Sequence, residues 1–563
     1  MVRIVERKYD ISSLERLEAK GFAKPLARVL ASRGISNEIE LETSVSELVP
    51  PEALLNCLKM AGYLADAIEL GKSLLVIGDY DCDGATATAV AVRGLRSLGA
   101  KVDFLVPNRF EYGYGLTTEI VEIAGMKNPD VIITVDNGIS SIDGVAKANE
   151  LGIQVMITDH HLPGEEVPDA LCIVNPNQQG CLFPSKNLAG VGVVFYVLLA
   201  LRAEKRKRGM FIHSKEPNLS ELLDLVALGT IADLVRLDKN NRILVENGLR
   251  RIRSARCCPG ILALMRLSGR DFKRATAQDL GFSVGPRLNA AGRLDDMSLG
   301  ISCLISDSET EVMLMARKLH ELNFERRVIE ADMQYCANVT LDNLDLSNRY
   351  TISIFNEDWH QGVIGILASR MKELYHRPVI AFARSGTGEL KGSGRSINGL
   401  HLRDALDLVE KRHRGTILRF GGHAMAAGLS ILENRLEEFN TAFEAIVSEL
   451  VSQEDLEQII EVDGMLNLED LSWDTALTFE SLVWGQGFPQ PQFYDGFNVI
   501  NQKVVGDKHL KLTLDKKGQA IDAILFNQTD KLPSKIKAVY HLQTNQFNGA
   551  KAIQLNIRHV EPA

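Results

Sequence analysis

From about residue 70 the chain alternates short apolar runs with segments of helical spacing. The apolar runs 73–78, 102–106, 130–135, 153–158 and 171–174 read as strands, and the segments 85–98, 117–124, 141–151 and 188–204 read as helices. Strands separated by helix-length stretches imply right-handed crossovers and a parallel sheet. Residues 309–340 lack Gly and Pro and carry apolar residues at helical spacing, which predicts one long charged helix joining two domains. After about residue 455 the pattern turns to period two, with strands near 495–504, 508–514, 520–526, 536–543 and 552–560. Five short strands in sequence suggest a small barrel of the OB type.

Length and composition agree with several packed domains. The chain has 563 residues, 45% apolar and 24% charged, which excludes disorder along its whole length. Lys plus Arg is 63 and Asp plus Glu is 73, a net charge of −10, so the protein does not coat nucleic acid by bulk positive charge, although a local basic groove is compatible with it. The first residues lack the apolar core of a signal peptide, and the longest apolar run, 191–201, is too short to span a bilayer, so a cytoplasmic protein is expected. The eight cysteines form no C-x-x-C pair and no zinc-ligand cluster, and reduced thiols are expected.

The residues just past the strands carry the chemistry. LLVIG runs into Asp79, Asp81 and Asp83; VIITV runs into Asp136-Asn137-Gly138; QVMIT runs into Asp159-His160-His161; and Asp233 closes the helical stretch LSELLDLVALGTIAD. Ligands of open parallel sheets bind beyond the carboxyl ends of the strands, so these groups are candidates for one rim. Singly, each acid is most simply a helix cap or turn former. Gathered together, they would repel one another and need cations. Oxygen-rich ligand sets with one or two imidazoles suit Mn²⁺ or Mg²⁺, and two such ions about 3.5–4 Å apart can activate water for in-line displacement at phosphorus.

These motifs, in this order, resemble the DHH phosphoesterase superfamily. The further stretches PNRFEYGYG, LGTIADLV, VGPRLNAAGRLDD, WHQGVIGI, KGSGRS and GGHAMAAG resemble its branch of single-strand-specific 5′→3′ exonucleases over nearly the whole chain. The resemblance implies an α/β fold with a parallel-sheet DHH domain and N-terminal extension (1–308). A connecting helix (309–344), a smaller α/β DHHA1-type substrate-clamping domain (345–453) and an OB-fold single-strand-binding domain (454–563) come after it. It implies Asp79, Asp81, Asp83, Asp136, His160 and Asp233 as metal ligands, with Asp136 bridging two Mn²⁺ or Mg²⁺ ions and His161 beside the scissile phosphate. Other members often carry His where this chain has Ile77, and here Asp79 supplies the early acid.

The same resemblance places Arg109, Arg287, Arg293, His360, Ser393, Gly394, Arg395, Ser396, Gly422 and His423 on the nucleic acid. Physically, glycine would let backbone N–H groups approach a 5′ phosphate, Ser would add a donor, and Arg would add a bidentate fork. Cys82, between two ligands, is expected to pack on the far side of the backbone. Single-stranded DNA is the implied substrate, in recombination and repair. A helicase and a single-strand-binding protein are the candidate protein partners, there is no membrane partner, and a monomer is expected. No Walker A motif is present, so duplex unwinding would need another protein.

Three charge patterns change the picture locally. Residues 250–274 hold eight cations against Asp271, a candidate backbone-tracking stripe, whereas Lys205–Arg208 is expected to be a solvated face. Between Glu433 and Asp470, twelve acids face Arg435, which predicts the outer face of a helix. In the barrel, Lys508, Lys511, Lys535 and Lys537 are candidates to follow a backbone, with Phe497 and Phe526 either stacking on bases or filling the core. Two other classes compete: a DHH enzyme for short oligonucleotides or cyclic dinucleotides, which needs no barrel, and a silent binding scaffold, which would lack the acids.

Overall fold

The computed structural model describes residues 2–108, 115–212, 214–342, 346, 348–386, 388–547 and 550–563, and Arg109 therefore lies outside the described residues. The chain divides into two compact units, one formed by 1–5 with 321–460 and the other by 6–320 with 461–563. The strands are β1 (Val2–Glu6), β2 (Ser73–Gly78), β3 (Lys101–Leu105), β4 (Val131–Val135), β5 (Gln154–Thr158), β6 (Cys172–Val174), β7 (Ile352–Phe355), β8 (Val379–Arg384) and β9 (Glu389–Arg395). They continue with β10 (Arg419–Gly422), β11 (Ala426–Leu432), β12 (Gln458–Val462), β13 (Phe493–Val505), β14 (His509–Lys516), β15 (Gln519–Leu525), β16 (Lys535–Phe547) and β17 (Ala550–Pro562).

In the larger unit β2–β6 form a parallel sheet of order β3-β2-β4-β5-β6. The strands β2 and β4 are buried almost throughout, as continuous Leu/Ile/Val runs require when helices cover both faces. From β2 the chain steps outward to β3, then returns to lay β4 on the other side of β2. The carboxyl ends of β2 and β4 thus flank the point where strand order reverses, the usual ligand crevice of an open α/β sheet. The apolar run near 191–201 lies in a buried helix, Gly190–Lys207. Among the described residues, no helix is long and apolar enough to cross a membrane.

The last part of the larger unit is a closed barrel of order β13-β14-β15-β17-β16. Its alternating burial matches the period-two sequence pattern, with Phe497 packed inside against Tyr540. Part-buried Lys516 forms an ion pair with the buried Asp495 at 2.6 Å, and Tyr540 donates to the same carboxylate at 2.7 Å.

The smaller unit holds a second sheet, β10-β11-β9-β8-β7, in which only β7 and β8 run parallel. The helix Leu436–Leu450 packs Phe439, Phe443 and Ile446 onto it and turns Glu437, Glu438 and Glu449 outward, as the charge pattern predicted, whereas Glu444 accepts from Tyr350 N–H and Thr351 N–H. The long helix runs unbroken over Glu309–Asp342. Within it Glu330 is buried, pairing with Arg326 at 2.5 Å and with Arg370 of the helix Ile364–Tyr375 at 3.0 Å.

One buried ion pair fastens the N-terminal helices to the lead-in of the barrel. The Arg33 guanidinium pairs with both oxygens of Asp463, donates to Pro489 O at 2.9 Å, and lies 5.8 Å from the Trp484 ring centre. Asp463 in turn accepts from Gln492 N–H at 3.0 Å. Removing one partner strands the other charge in the interior, so Asp463→Ala is expected to destabilise the larger unit by about 3–5 kcal/mol. Chemical denaturation followed by tryptophan fluorescence, with Trp473 and Trp484 in the larger unit, measures this.

Candidate metal centre

The loop after β2 is folded hard against the helix Cys82–Ser97. A Cβ on Gly84 would lie 2.4 Å from Asp79 O, and one on Gly78 would lie 2.0 Å from Thr88 Oγ1, so both positions must be glycine. Asp81 caps that helix, accepting from Gly84 N–H at 3.0 Å, while Asn289 accepts from Cys82 N–H at 2.8 Å. The cap reading and the ligand reading therefore describe one carboxylate with two oxygens. Asp83, in the first turn, accepts from Gly190 N–H at 2.7 Å and Val191 N–H at 3.0 Å, at the positive end of the helix Gly190–Lys207. Cys82 is buried on the far side, its Sγ 3.9 Å from the Cβ position of Gly285, and burial pushes its thiol well up.

Asp136 leaves β4 with φ 62°, a left-handed conformation that Asp tolerates better than most residues. Its N–H donates to Thr158 O, and a Cβ on Gly190 would lie 2.5 Å from its Oδ1. Gly229 likewise leaves room for Asp83 Oδ1, 2.7 Å from its Cβ position. Asp233 is the C-cap of the helix Leu223–Ala232, where the dipole disfavours a carboxylate. His160 Nε2 lies 3.1 Å from Asp136 Oδ1 and 3.5 Å from Asp233 Oδ2.

The rim thus gathers what the sequence scattered. Donor atoms of Asp79, Asp81 and Asp136, of Asp83, His160 and Asp233, and of Asp136, His160 and His161 each lie within 4.8 Å of one another. Burial raises the carboxyl of Asp83 to about 7, with the Asp81 charge next in weight, and raises Asp136 and Asp233 well above the ordinary range, with Asp83 their strongest charged neighbour. A donor set of hard oxygens and imidazole, spaced for shared ions and too negative to stand alone, fits Mn²⁺ or Mg²⁺.

Asp159, in the sequence only the first member of the triplet, has its own part. Its Oδ1 accepts from the N–H groups of His160 (2.7 Å) and His161 (3.1 Å) and meets His161 Nδ1 at 2.7 Å, while Oδ2 accepts from Ile139 N–H. Burial alone would lower the His161 pKa, but Asp159, with help from Asp233 and Asp79, raises it to about 9. Asn175 and Asn177 hold the carbonyls of His161 and His160. The hint in the sequence was an Asp two residues before a His at a strand end; nothing in the spacing showed that Gly190 faces Asp136.

Other predicted residues lie elsewhere. Arg287 is buried, donating to Ser283 O and meeting His320 Nδ1 at 3.1 Å, and Arg293 is in the last turn of the helix Gly285–Leu294. In the smaller unit, Ser393 and Arg395 share one face of β9, and a Cβ on Gly365 would lie 2.9 Å from Ser393 Oγ and 3.1 Å from Arg395 Nη2. His360 Nδ1 accepts from Gly362 N–H at 3.1 Å, and Gly422 (φ 140°) turns β10 into β11, where His423 N–H donates to Ala426 O. Two more of the residues expected on the phosphate have close protein neighbours. Gly394 lies inside a strand paired on both sides, and a Cβ there would strike Leu402 at 2.7 Å. Ser396 is buried, its hydroxyl donating to Leu400 O.

Half of the eight cations expected to form a stripe meet partners on other elements. Arg250 and Arg253 pair with Glu246, Arg270 approaches Asp279 and donates to Ser283, and Arg274 reaches Thr544 and Gln546 on β16. In Lys205–Arg208, expected to be solvated, Lys205 is instead buried on Leu98 O, while Arg206 pairs with Glu216 and Arg208 with Asp66, Glu69 and Glu204. On the barrel, Lys511 pairs with Asp522, Lys535 and Lys537 line a groove of about 970 Å³, and Phe526 is exposed beside His509.

An acid-lined crevice at the switch point of a parallel sheet, a second sheet in a separate unit and a terminal five-strand barrel define the DHH class, and the matched families agree. They are "DHH family, N-terminal domain" over 73–230, "DHHA1 domain" over 347–449 and "RecJ OB domain" over 462–559. The single-stranded-DNA-specific exonuclease RecJ of Dickeya dadantii is 48% identical over 551 residues, covering 95% of this chain and 96% of that protein. The crystal structure of Thermus thermophilus RecJ with Mn²⁺ aligns at a TM-score of 0.83 and 29% identity, covering 100% of this chain and 79% of that one, and its Mg²⁺ complex aligns at 0.78 and 28%, covering 100% and 78%. The chain belongs to the RecJ family.

The carboxyl cluster sets a pH dependence for the metal-free protein. Asp83, Asp136 and Asp233 hold protons when folded that the unfolded chain releases near pH 4, so their contribution to stability falls as pH rises toward and beyond about 7. His161 adds stability that is complete below its unfolded pKa and is lost as pH rises through about 9. Stripped protein is therefore expected to melt at lower temperature at pH 8 than at pH 6, and Mn²⁺, which displaces those protons, to stabilise more at pH 8. Calorimetry with EDTA and with Mn²⁺ checks both signs.

Proposed function

We propose that the protein hydrolyses single-stranded DNA from its 5′ end, releasing mononucleotides, with two Mn²⁺ or Mg²⁺ ions held by Asp79, Asp81, Asp83, Asp136, His160 and Asp233, and Asp136 shared between them. The observation that carries this reading is the convergence of these donors at the switch point of the sheet, in a chain whose relatives are named single-stranded-DNA-specific exonucleases. When bound, such ions supply an acidified water and neutralise the charge gathering on phosphate oxygens.

The chain's own groups do the rest. Asp83 is fixed by two backbone N–H groups and Asp136 by the space that Gly190 leaves, so the ligands need little rearrangement. With Nδ1 committed to Asp159, whose carboxylate favours the protonated ring, His161 presents Nε2–H to a phosphate oxygen. Water adds to phosphorus and the 3′ oxygen of the first nucleotide leaves, taking a proton. In that register the first nucleotide would leave without the scissile phosphate only if the P–O3′ bond breaks, so the phosphate stays on the next nucleotide and each turnover regenerates a 5′-phosphorylated end.

Ser393 and Arg395 bind that terminal phosphate. Their common face on β9 and the close approach that Gly365 allows to both side chains support this. Arg109, Arg293, His360, Gly422 and His423 keep their assignment to the strand, the barrel binds more distant nucleotides, and a helicase and a single-strand-binding protein supply and protect the strand for a monomeric enzyme.

An oligonucleotide labelled at either end tests the reading. Mononucleotide is expected from the 5′ label only, with Mn²⁺ or Mg²⁺ and not with EDTA, and Asp136→Ala is expected to abolish it while the fold survives. Cleavage confined to very short strands would place the protein with small-substrate enzymes, and binding without cleavage would make it a scaffold. Arg395→Ala is expected to raise KM for 5′-phosphorylated strands more than for 5′-hydroxyl strands, measured by steady-state kinetics on the two; an equal rise would remove the clamp.

A further inference from the structure

One turn of the helical layer departs from α geometry. Across Leu280–Val284 the chain is wound wide, and Gly285 N–H donates to Leu280 O, five residues back. Turns of this kind are rare and occur often at functional sites. This one is clamped at Ser283: the buried Arg287 guanidinium donates to its carbonyl, and Arg270 Nε donates to its hydroxyl at 3.2 Å. Leu280, Ser283 and Val284 are buried, yet Phe282 between them is 79% exposed.

The turn abuts the elements that carry the acids. A Cβ on Gly281 would lie 3.1 Å from Ile231 Cγ2, and one on Gly285 would lie 3.4 Å from Ala232 Cβ and 3.9 Å from Cys82 Sγ. Ala232 immediately precedes Asp233, and Cys82 lies between Asp81 and Asp83. Leu234, just past Asp233, is 66% exposed and held at φ 59°, where a leucine sits under strain. A solitary exposed apolar side chain is ordinary on any surface. A phenyl ring held out by a doubly clamped, wide turn that packs on the elements carrying the metal ligands is a different case.

We infer that Phe282 is a stacking platform for an unpaired base of the strand at the acidic site, with Leu234 a second apolar contact, and that this selects single strands. The inference rests on the nuclease reading above. A base inside a duplex has both faces covered and meets the ring only after unstacking, whereas a single-stranded base offers a face of whatever sequence. Arg270 and Arg287 are positioning residues in this arrangement, holding the turn that presents the ring.

The test uses the full chain with Mn²⁺ and 5′-phosphorylated single strands. Phe282→Ala is expected to raise KM about tenfold, in the range of one lost base–aromatic stack, with kcat changing far less, and Phe282→Trp to restore it. Moving an abasic nucleotide along the strand should reveal a position that raises KM for the natural protein but not for Phe282→Ala. An unchanged KM, or equal abasic penalties in both proteins at every position, overturns the inference and leaves the nuclease reading standing. A fall in kcat with a lowered Tm and unmoved KM makes the ring structural and also overturns it. No degradation by the natural protein overturns both readings.

Discussion

Carboxylates forced together at one rim are the constraint on which the larger unit depends. Asp79, Asp81, Asp83, Asp136 and Asp233 arrive from separate loops and a helix end, and nothing in a parallel sheet favours bringing five like charges together. Two of them stand against further disadvantages: Asp83 is fully enclosed, and Asp233 faces the negative end of its own helix. A chain that only needed to fold would have put neutral caps there. The arrangement makes physical sense when cations complete it, since the repulsion that burdens the metal-free protein becomes the attraction that holds the ions.

The surroundings are organised to keep those oxygens in place. Gly190 does two things at once: its N–H anchors Asp83, and its missing side chain admits Asp136. Gly292 belongs to the same system, since a Cβ there would fall 2.0 Å from Tyr80 O, inside the loop that carries Asp79 and Asp81. Asn289 of the same helix holds Cys82 N–H. The motif VGPRLNAAGR is thereby tied to the first acidic loop by shape and by hydrogen bond across a long stretch of sequence, and its small residues are explained by close approach of backbones.

How much of this was legible depends on the range of each interaction. Strand runs such as VIITV and the acids at their ends are local patterns, and the reversal of order between β2 and β4 then brings the acids together almost by topology alone. The long helix and the barrel were legible for the same reason, a clean period of 3.6 or 2 over many residues. The surroundings of Gly394 and Ser396 were not, because a glycine inside a paired strand and a glycine in a phosphate loop look alike until the neighbour, here Leu402, is known. Part of the cationic stripe is paired within the protein, because Glu246 and Asp279 lie just outside the window that holds the cations. Arg287 looks like a phosphate ligand in sequence, and only the wide turn at Ser283 shows what its guanidinium holds.

The barrel's place in the same compact unit as the acidic sheet has its own physical basis. Arg33 and Asp463 are both enclosed, so the pair that joins the N-terminal helices to the barrel lead-in cannot open without exposing a charge that has lost its partner. Arg274 adds a polar tie from the helical layer to Thr544 on β16, and Leu237 N–H donates to Gln486 O in the lead-in. A barrel hung on a flexible linker would raise the local concentration of strand without fixing its direction. A barrel tied through a buried ion pair is pre-oriented on folding, so its orientation need not be set on binding.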